Sequence, residues 1–521
     1  MKHPHLARWA LCSTMLWICG PAKIAEATAL DDYVAAPDPS YAWSLVNTIH
    51  GTGYRAFVLS MYSQTWRSPA EVDRTRWHHW LTIIRPDGAV GGTAMLFING
   101  GSNGDPAPTA ADGLLTGLAR QTGRVVADLR MVPNQPLVFA GETQGRWEDA
   151  LIAYTWDKFL RTGDDRWPAR LPMTKAAVRA MDTVQAFCAT PLGGSLTIDS
   201  FMVAGASKRG WTTWTTAAVD SRVVAIMPLV IDVLNVERSM SHHYAAYGFW
   251  APAVHDYEEM HIMDWFRTPE MAALMVIEDP YAYRTRLDMP KCIVNATGDQ
   301  FFLPDSSRFY FHDLPGTRYL RYVPNTDHGL SPDVANTVTA FALAILNGRP
   351  LPRFSWSFEA DGSIRVQTID APGQVLLWQA TNPTARDFRK ETIGPAYTSS
   401  VLADQGGGVY VGRVPVPPAG WTAFFVELTY YSGWVYPHRF TTDVRVVPDM
   451  LPYAADHDRD GDTDVADFAI FQGCFGADHR SDQAGCYVCD YDGDGDVDMN
   501  DFAVFQVCFN GPDSPPACSR R

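Results

Sequence analysis

The stretch SFMVAGASKRGW, residues 200–211, decides how the rest of the chain is read. An apolar run ends in Gly-Ala-Ser-Lys-Arg-Gly, and a helix-like segment follows. A reactive serine on a sharp strand-to-helix turn needs small neighbours, because the turn crowds the helix against the strand. Gly205 supplies one at −2. At +2 the usual glycine is replaced by Arg209, and the next glycine is Gly210. On this motif alone Ser207 reads equally well as a loop serine, so its standing depends on what accompanies it.

A serine hydrolase of this type needs an acid and a base in the order Ser, Asp, His, each on the loop after a later strand. The strand-like run KCIVNAT (291–297) leads into Gly298-Asp299, and RYLRYVP (318–324) leads into NTDHGL, which contains His328. Asp299 is expected to hold the imidazole in one tautomer, and His328 to take the serine proton. Asp305 lies on the same loop as Asp299 and competes as the acid; Asp327, beside the histidine, is a weaker rival. Oxyanion donors are expected from the backbone N–H of Lys208 and from LFINGGSNGDP (96–106), where Gly100, Gly101 and Ser102 follow an early strand. Glycine lets the backbone approach a substrate closely.

Outward from this core, near-continuous apolar runs at 93–100, 124–132, 196–205, 223–231, 291–299 and 318–325 alternate with helical stretches such as TKAAVRAMDTVQAFCA, as strands covered on both faces require. The reading is an α/β-hydrolase-type, mostly parallel sheet over 28–350. An aromatic- and histidine-rich segment, 232–290, reads as a helical cap, with Tyr244, Trp250 and Trp265 as substrate-pocket candidates. Between 351 and 448 the period changes to two, which predicts a small antiparallel β-domain of sandwich type. A linker covers 449–455, and residues 512–521 form a tail.

The segment 456–511 repeats with an offset of 34 residues, from DHDRDGDTDVADF to DYDGDGDVDMNDF. Each copy fits a twelve-residue calcium loop. Asp456, Asp458, Asp460, Asp462, Asp464 and Asp467 fall at positions 1, 3, 5, 7, 9 and 12 of the first, and Asp490, Asp492, Asp494, Asp496, Asp498 and Asp501 at the same places of the second. Gly461 and Gly495 supply the turn at position 6. Two Ca2+ ions are expected, none of them needed for hydrolysis, so a chelator is expected to unfold the tail and spare turnover. From residue 456 onward there are 15 Asp against 4 Arg, which accounts for −11 of the net charge of −16. That balance argues against a nucleic-acid partner. Five cysteines between 474 and 518 predict two disulfides with one thiol left over, of open connectivity. Residues 1–27, with Lys2 and Arg8 before a short apolar run and Ala25 and Ala27 at a cleavage site, read as a secretory signal peptide. The chain is therefore expected to be secreted, periplasmic or at the cell surface, with no membrane span after cleavage.

The segments GASKRGWTTW, AIMPLVIDVLN, NATGDQFFLPDSSRFY and YVPNTDHGL resemble the PhoPQ-activated pathogenicity-related protein family. That resemblance implies an α/β-hydrolase fold with a trailing β-domain. It also assigns Ser207, Asp299 and His328 as the catalytic set and makes Arg209 a variation of the family. The acidic repeat resembles a type I dockerin, which implies calcium and a cohesin-like partner. The late-loop positions here hold Val465-Ala466 and Met499-Asn500 in place of the usual Ser-Thr, so another surface partner is equally open. The function expected is an exported serine hydrolase acting on an ester or amide. Three alternatives stand beside it. One is a dipeptidyl-peptidase-like enzyme using Glu258-Glu259 to hold an amine. Another is a carbohydrate esterase, since GASKRG is similar to the serine motif of glucuronoyl esterases. The third is a non-catalytic binder on a hydrolase scaffold.

Overall fold

A computed structural model describes residues 27–431, 436–477, 486–491, 495–512, 514 and 516–520. The expected signal peptide, apart from its last residue, and Asp492 and Asp494 lie outside the described residues. The strands are β1 (Ala42–Gly51), β2 (Tyr54–Thr65), β3 (Arg76–Pro86), β4 (Gly92–Ile98), β5 (Val126–Leu129), β6 (Ile198–Ala206), β7 (Val223–Leu229), β8 (Lys291–Ala296), β9 (Arg318–Val323), β10 (Phe354–Phe358), β11 (Ile364–Thr368), β12 (Gln374–Asn382), β13 (Thr398–Val401), β14 (Val409–Gly412), β15 (Trp421–Tyr430), β16 (His438–Thr441) and β17 (Arg445–Val447). The helices are α1 (Ala29–Ala35), α2 (Gly113–Thr122), α3 (Glu148–Thr162), α4 (Arg170–Ala189), α5 (Lys208–Val219), α6 (Val236–Tyr247), α7 (His255–Glu259), α8 (Pro269–Glu278), α9 (Val334–Leu346), α10 (Lys390–Ile393), α11 (Val465–Cys474) and α12 (Met499–Cys508), with short 3-10 turns between several of them.

The apolar runs are continuous because both faces of the sheet are covered. In β6, Phe201 and Val203 enter the core shared with α1, α4 and α5, while Met202 and Ala204 enter the opposite core with α2 and α9. In β8, Ile293 faces the first and Cys292 and Val294 face the second. The strand order is β1-β2-β3-β5-β4-β6-β7-β8-β9, with β4 through β9 parallel. The order reverses around β4, which has β5 on one side and β6 on the other. A crevice opens at the carboxyl ends of the strands at such a switch point, and ligands of open α/β sheets bind there.

The period-two segment forms antiparallel sheets, as its alternation requires. One of them, β16-β15-β12-β13, continues the main sheet, because Thr441 of β16 pairs with Leu320 of β9. The other, β10-β11-β14, packs Ile364 and Val366 against Val375, Leu377, Phe424 and Val426. Every residue of β15 is buried, since this strand lies inside the joined sheet and not at an edge. The cap segment between β7 and β8 is helical, made of α6, α7 and α8 with 3-10 turns.

In the C-terminal region the two repeats pair through Gly476 N–H to Val497 C=O (2.8 Å) and Val497 N–H to Ala477 C=O (2.9 Å). Phe471 and Phe505 are buried between them. Two disulfides, Cys474–Cys486 and Cys508–Cys518, close this unit, and Cys489 is the buried free thiol.

Candidate active site and acidic repeats

Ser207 stands between β6 and α5 with φ 55° and ψ −126°, a backbone conformation that costs a non-glycine residue energy and is held only by its surroundings. The glycines around it are required by space. A Cβ on Gly205 would sit 2.6 Å from Arg209 O, and one on Gly210 would sit 2.9 Å from Leu229 O and 3.0 Å from Gly205 O. The close approach normally made at +2 is therefore made at +3, which leaves +2 free for Arg209.

The loops after β8 and β9 bring the other two residues to the serine. His328 Nε2 lies 2.9 Å from Ser207 Oγ. Its Nδ1 lies 2.9 Å and 3.1 Å from the two carboxylate oxygens of Asp299. Asp299 is buried and also accepts the Phe301 N–H (2.8 Å). Gln300 Oε1 accepts the His328 N–H (2.9 Å), and the Phe301 ring lies 4.5 Å from the imidazole. Ser207 and His328 are each partly exposed. The rival acids are engaged elsewhere. Asp305 is buried with His242 (3.1 Å) and Arg386 (2.7 Å), and Asp327 pairs with Lys390 (3.0 Å).

Of the expected oxyanion donors, Lys208 N–H opens α5 and lies in the first turn, where no intrahelical acceptor exists. Gly100 and Gly101 follow β4 across the switch point, and their N–H groups make no hydrogen bond among the described residues, while their carbonyls accept Met131 N–H (2.9 Å) and Gln135 Nε2 (3.3 Å). Ser102 drops out of the set, because its N–H is donated to Asp105 Oδ2 (2.7 Å).

The cap candidates also move. Tyr244 and Trp250 line a cavity of about 660 Å³ with His457, Asp458 and Arg459 of the first acidic repeat, a cavity that none of Ser207, Asp299 and His328 lines. The Arg459 guanidinium lies over Tyr244, Trp250 and Phe266 at 5.8, 5.3 and 5.4 Å and donates to Met263 O (3.1 Å). Tyr244 OH donates to Arg459 O (3.2 Å), and Tyr453 N–H to Ala245 O (2.8 Å). These aromatics hold the repeat against the cap. Trp265 is half-buried against the main core.

The side-chain partners of Lys208 and Arg209, and the buried Arg170 behind them, were not foreseen from sequence. Lys208 Nζ reaches Asp149 (2.6 Å), which also accepts Tyr257 OH from α7 (3.0 Å). Arg209 makes a two-pronged pair with Glu148 (2.5 and 2.8 Å). Burial alone would raise the Glu148 carboxyl, but Arg209 and Lys208 hold it down at about 2. Arg170 of α4, paired with Glu278 (3.1 Å) where both are buried, donates to Lys208 O (2.9 Å). Only pairing across distant segments reveals these roles, and no local pattern announces it.

The two acidic loops repeat the same internal bonds 34 residues apart. Gly461 N–H donates to Asp456 (3.1 Å) as Gly495 N–H does to Asp490 (3.3 Å), and His457 and Tyr491 N–H each donate 2.6 Å bonds to Asp467 and Asp501. Gly461 and Gly495 have φ of 97° and 102°, which only glycine adopts readily. Carboxylate oxygens of Asp456, Asp458 and Asp460 lie within 4.8 Å of one another, as do those of Asp462, Asp464 and Asp467, and of Asp496, Asp498 and Asp501. Asp456 Oδ1 is buried with no partner among the described residues, and burial together with Asp467 pushes its carboxyl up to about 7. A cation is the group that would satisfy this charge, so the residues fit Ca2+.

A serine in a strained strand-to-helix turn, facing a histidine and an aspartate from the loops after two later strands of a sheet in this order, defines a protein of α/β-hydrolase type. The chain belongs to the PhoPQ-activated pathogenicity-related protein family, which matches residues 30–389. It is 37% identical over 458 residues to the autocrine proliferation repressor protein A of Dictyostelium discoideum, covering 82% of this chain and 92% of that protein. Among solved structures it is similar to acetyl xylan esterase 1 from Thermoanaerobacterium sp. JW/SL YS485, at 15% identity and a TM-score of 0.42 over 61% of this chain and 91% of that one. It is also similar to the glucuronoyl esterase of Solibacter usitatus, at 13% identity and a TM-score of 0.35 over 61% and 90%.

Proposed function

We propose that the protein is an exported serine hydrolase that cleaves an ester through an acyl-enzyme. The observation that carries this reading is the continuous hydrogen-bonded chain from Ser207 Oγ through His328 to Asp299. Ser207 Oγ attacks the acyl carbon while His328 Nε2 takes its proton. Asp299 keeps the other ring nitrogen protonated and stabilises the imidazolium that forms. The tetrahedral oxyanion is received by the N–H groups of Lys208, Gly100 and Gly101. Collapse breaks the bond to the leaving alkoxide, which takes the proton back from His328. Water, deprotonated by the same ring, then releases the acid and restores the serine.

An ester is favoured over a dipeptide amide by the state of the carboxylates. An aminopeptidase needs free acids beside the serine to hold the substrate amine. Glu258 lines the cavity between cap and repeat, and Glu259 is exposed. Glu148 and Asp149, the acids that pair with the two residues following Ser207, are committed to Arg209 and Lys208. The acidic loops would hold Ca2+ through Asp456, Asp458, Asp460, the Asp462 carbonyl, Asp464 and Asp467, and through Asp490, Asp492, Asp494, the Asp496 carbonyl, Asp498 and Asp501. The bound metal supplies charge compensation and folding free energy. Two disulfides support an oxidising compartment. A cohesin-like or other surface partner for the repeats belongs to the same proposal.

The test is labelling of the calcium-loaded chain by a fluorophosphonate, with Ser207→Ala as control, followed by turnover of short acyl esters against dipeptide amides. Label on the wild type alone and ester turnover support the reading. A wild type that takes no label favours the non-catalytic binder, and amide turnover without ester turnover favours the peptidase.

A further inference from the structure

We infer that Arg209 is the positioning residue that fixes the oxyanion-binding amides, joining the turn that carries Ser207 to the loop that carries Gly100 and Gly101. The inference rests on the serine-hydrolase reading above and extends it to a residue that takes no part in the chemistry.

The oxyanion would be held between amides from two separate segments, Lys208 at the start of α5 and Gly100 and Gly101 after β4. A donor misplaced by 1 Å loses about 10²-fold in rate, so something must fix the spacing of these segments. The backbone does not join them directly beyond the end of the β4–β6 pairing at Ile98 and Gly205. Arg209 spans that gap. Its Nε donates to Val132 O (2.5 Å), and its two Nη groups take both oxygens of Glu148. The guanidinium lies against Gly100: a Cβ there would be 2.6 Å from Nη2 and 2.9 Å from Cζ. A Cβ at 100 would therefore push the guanidinium away from Val132 O and Glu148.

The same pair is tied to Gly101. Gln135 Nε2 donates to Glu148 Oε1 (2.6 Å) and to Gly101 O (3.3 Å), and Gln135 Oε1 accepts the Glu148 N–H (2.9 Å). Met131 and Val132 N–H donate to Gly100 O (2.9 Å) and Asn99 O (3.1 Å), which closes the ring back to the loop. Arg209 is thus the hub between three segments, 99–101, 131–135 and 148, and it lies two residues beyond the serine. A planar fork is needed for this, since a lysine is a single point charge and cannot reach Val132 O and both Glu148 oxygens together. The substitution of the usual glycine at +2 is, on this argument, a functional exchange: the turn keeps its close contact through Gly210 and gains a strut.

The experiment measures the full calcium-loaded chain and its variants Arg209→Lys, Glu148→Gln and Gly100→Ala. The readouts are kcat and KM for a short acyl ester, affinity for an alkyl boronic acid, which forms a tetrahedral adduct on serine, and urea unfolding. Arg209→Lys is expected to lower kcat by about 10²-fold with KM within a few-fold, and to weaken the boronate by a similar factor. Glu148→Gln and Gly100→Ala are expected to do the same in part, with Arg209→Lys combined with Glu148→Gln no worse than the worse single change. Boronate affinity and kcat unchanged in the folded variants would overturn the inference, even where stability falls, because a merely structural strut would move only the unfolding curve. A wild type that neither turns over ester nor binds boronate would overturn the hydrolase reading instead, so the two failures are distinct.

Discussion

Three candidate acids, Asp299, Asp305 and Asp327, stand on the loops after β8 and β9, and turnover is expected to depend on one of them. Asp299→Asn keeps the side-chain volume and an oxygen for the Phe301 N–H, but removes the charge that orients His328 and stabilises its protonated ring. A substitution of this kind that leaves geometry intact lowers kcat by about 10⁴-fold, which is ~5.5 kcal/mol of barrier. Its effect on unfolding is expected to be small by comparison. Asp305→Asn should do the reverse. Arg386 is completely buried against Asp305, and removing one partner of a buried pair costs about 3–5 kcal/mol of stability. Turnover per folded molecule should stay within a few-fold. Asp327→Asn breaks a half-exposed pair with Lys390 and should cost no more than ~1 kcal/mol. The assay is ester turnover at saturating substrate, corrected for the folded fraction by circular dichroism, beside urea unfolding of each variant. Retention of more than a tenth of turnover by Asp299→Asn would refute the assignment of the acid. So would a loss in Asp305→Asn that exceeds its loss of folded protein.

The turn around the serine gives a second test: Gly205→Ala and Gly210→Ala push a methyl into backbone atoms and should each cost about 1–3 kcal/mol in urea unfolding, whereas Gly113→Ala in α2, with open space around it, should not destabilise. Chelation is expected to reach the cap as well as the tail, because loosening of the first loop frees Arg459 from Tyr244, Trp250 and Phe266; hydrogen exchange of α6 should rise in EDTA and return with Ca2+, and an unchanged α6 would contradict it. Asp232 is buried, bonded by Tyr310 and Tyr322, and burial pushes its carboxyl up to about 8. The native form thus keeps a proton that the unfolded chain releases near 4, so this group makes stability decline as pH rises from about 4 to about 8; Asp232→Asn, which mimics the neutral acid, should flatten that decline between urea curves at pH 5 and pH 8.

The parts of the fold legible in sequence are those where one physical constraint acts locally. Strands β4 to β9 lie between two helical layers, so every residue must be apolar or paired, and the runs announce themselves without alternation. The sites at 207, 299 and 328 were legible because the fold places its reactive groups at strand ends, and strand ends are marked by Gly, Asp and Asn. By contrast β1, β2 and β3, the antiparallel strands that open the sheet, were not foreseen. Their buried positions include Ser63, Gln64 and His79, polar groups that find partners on other strands and helices, as Gln64 does with Pro172 O (2.8 Å), and so blur the apolar signal. The same reason hid Glu148 and Gln135 from the site. A carboxylate held by an arginine 61 residues away carries no mark in its own neighbourhood. The acidic loops show the limit from the other side. Spacing announced the turns and the ligand set, yet the position of the first loop depends on Arg459, a residue inside that loop which spacing alone treats as filler. A periodic motif constrains what it binds, while the side chains that break its period decide where it is placed. In this chain those are Arg459 against the cap, at a loop position the motif leaves open, and Arg209 against Gly100, at a position where the motif calls for glycine.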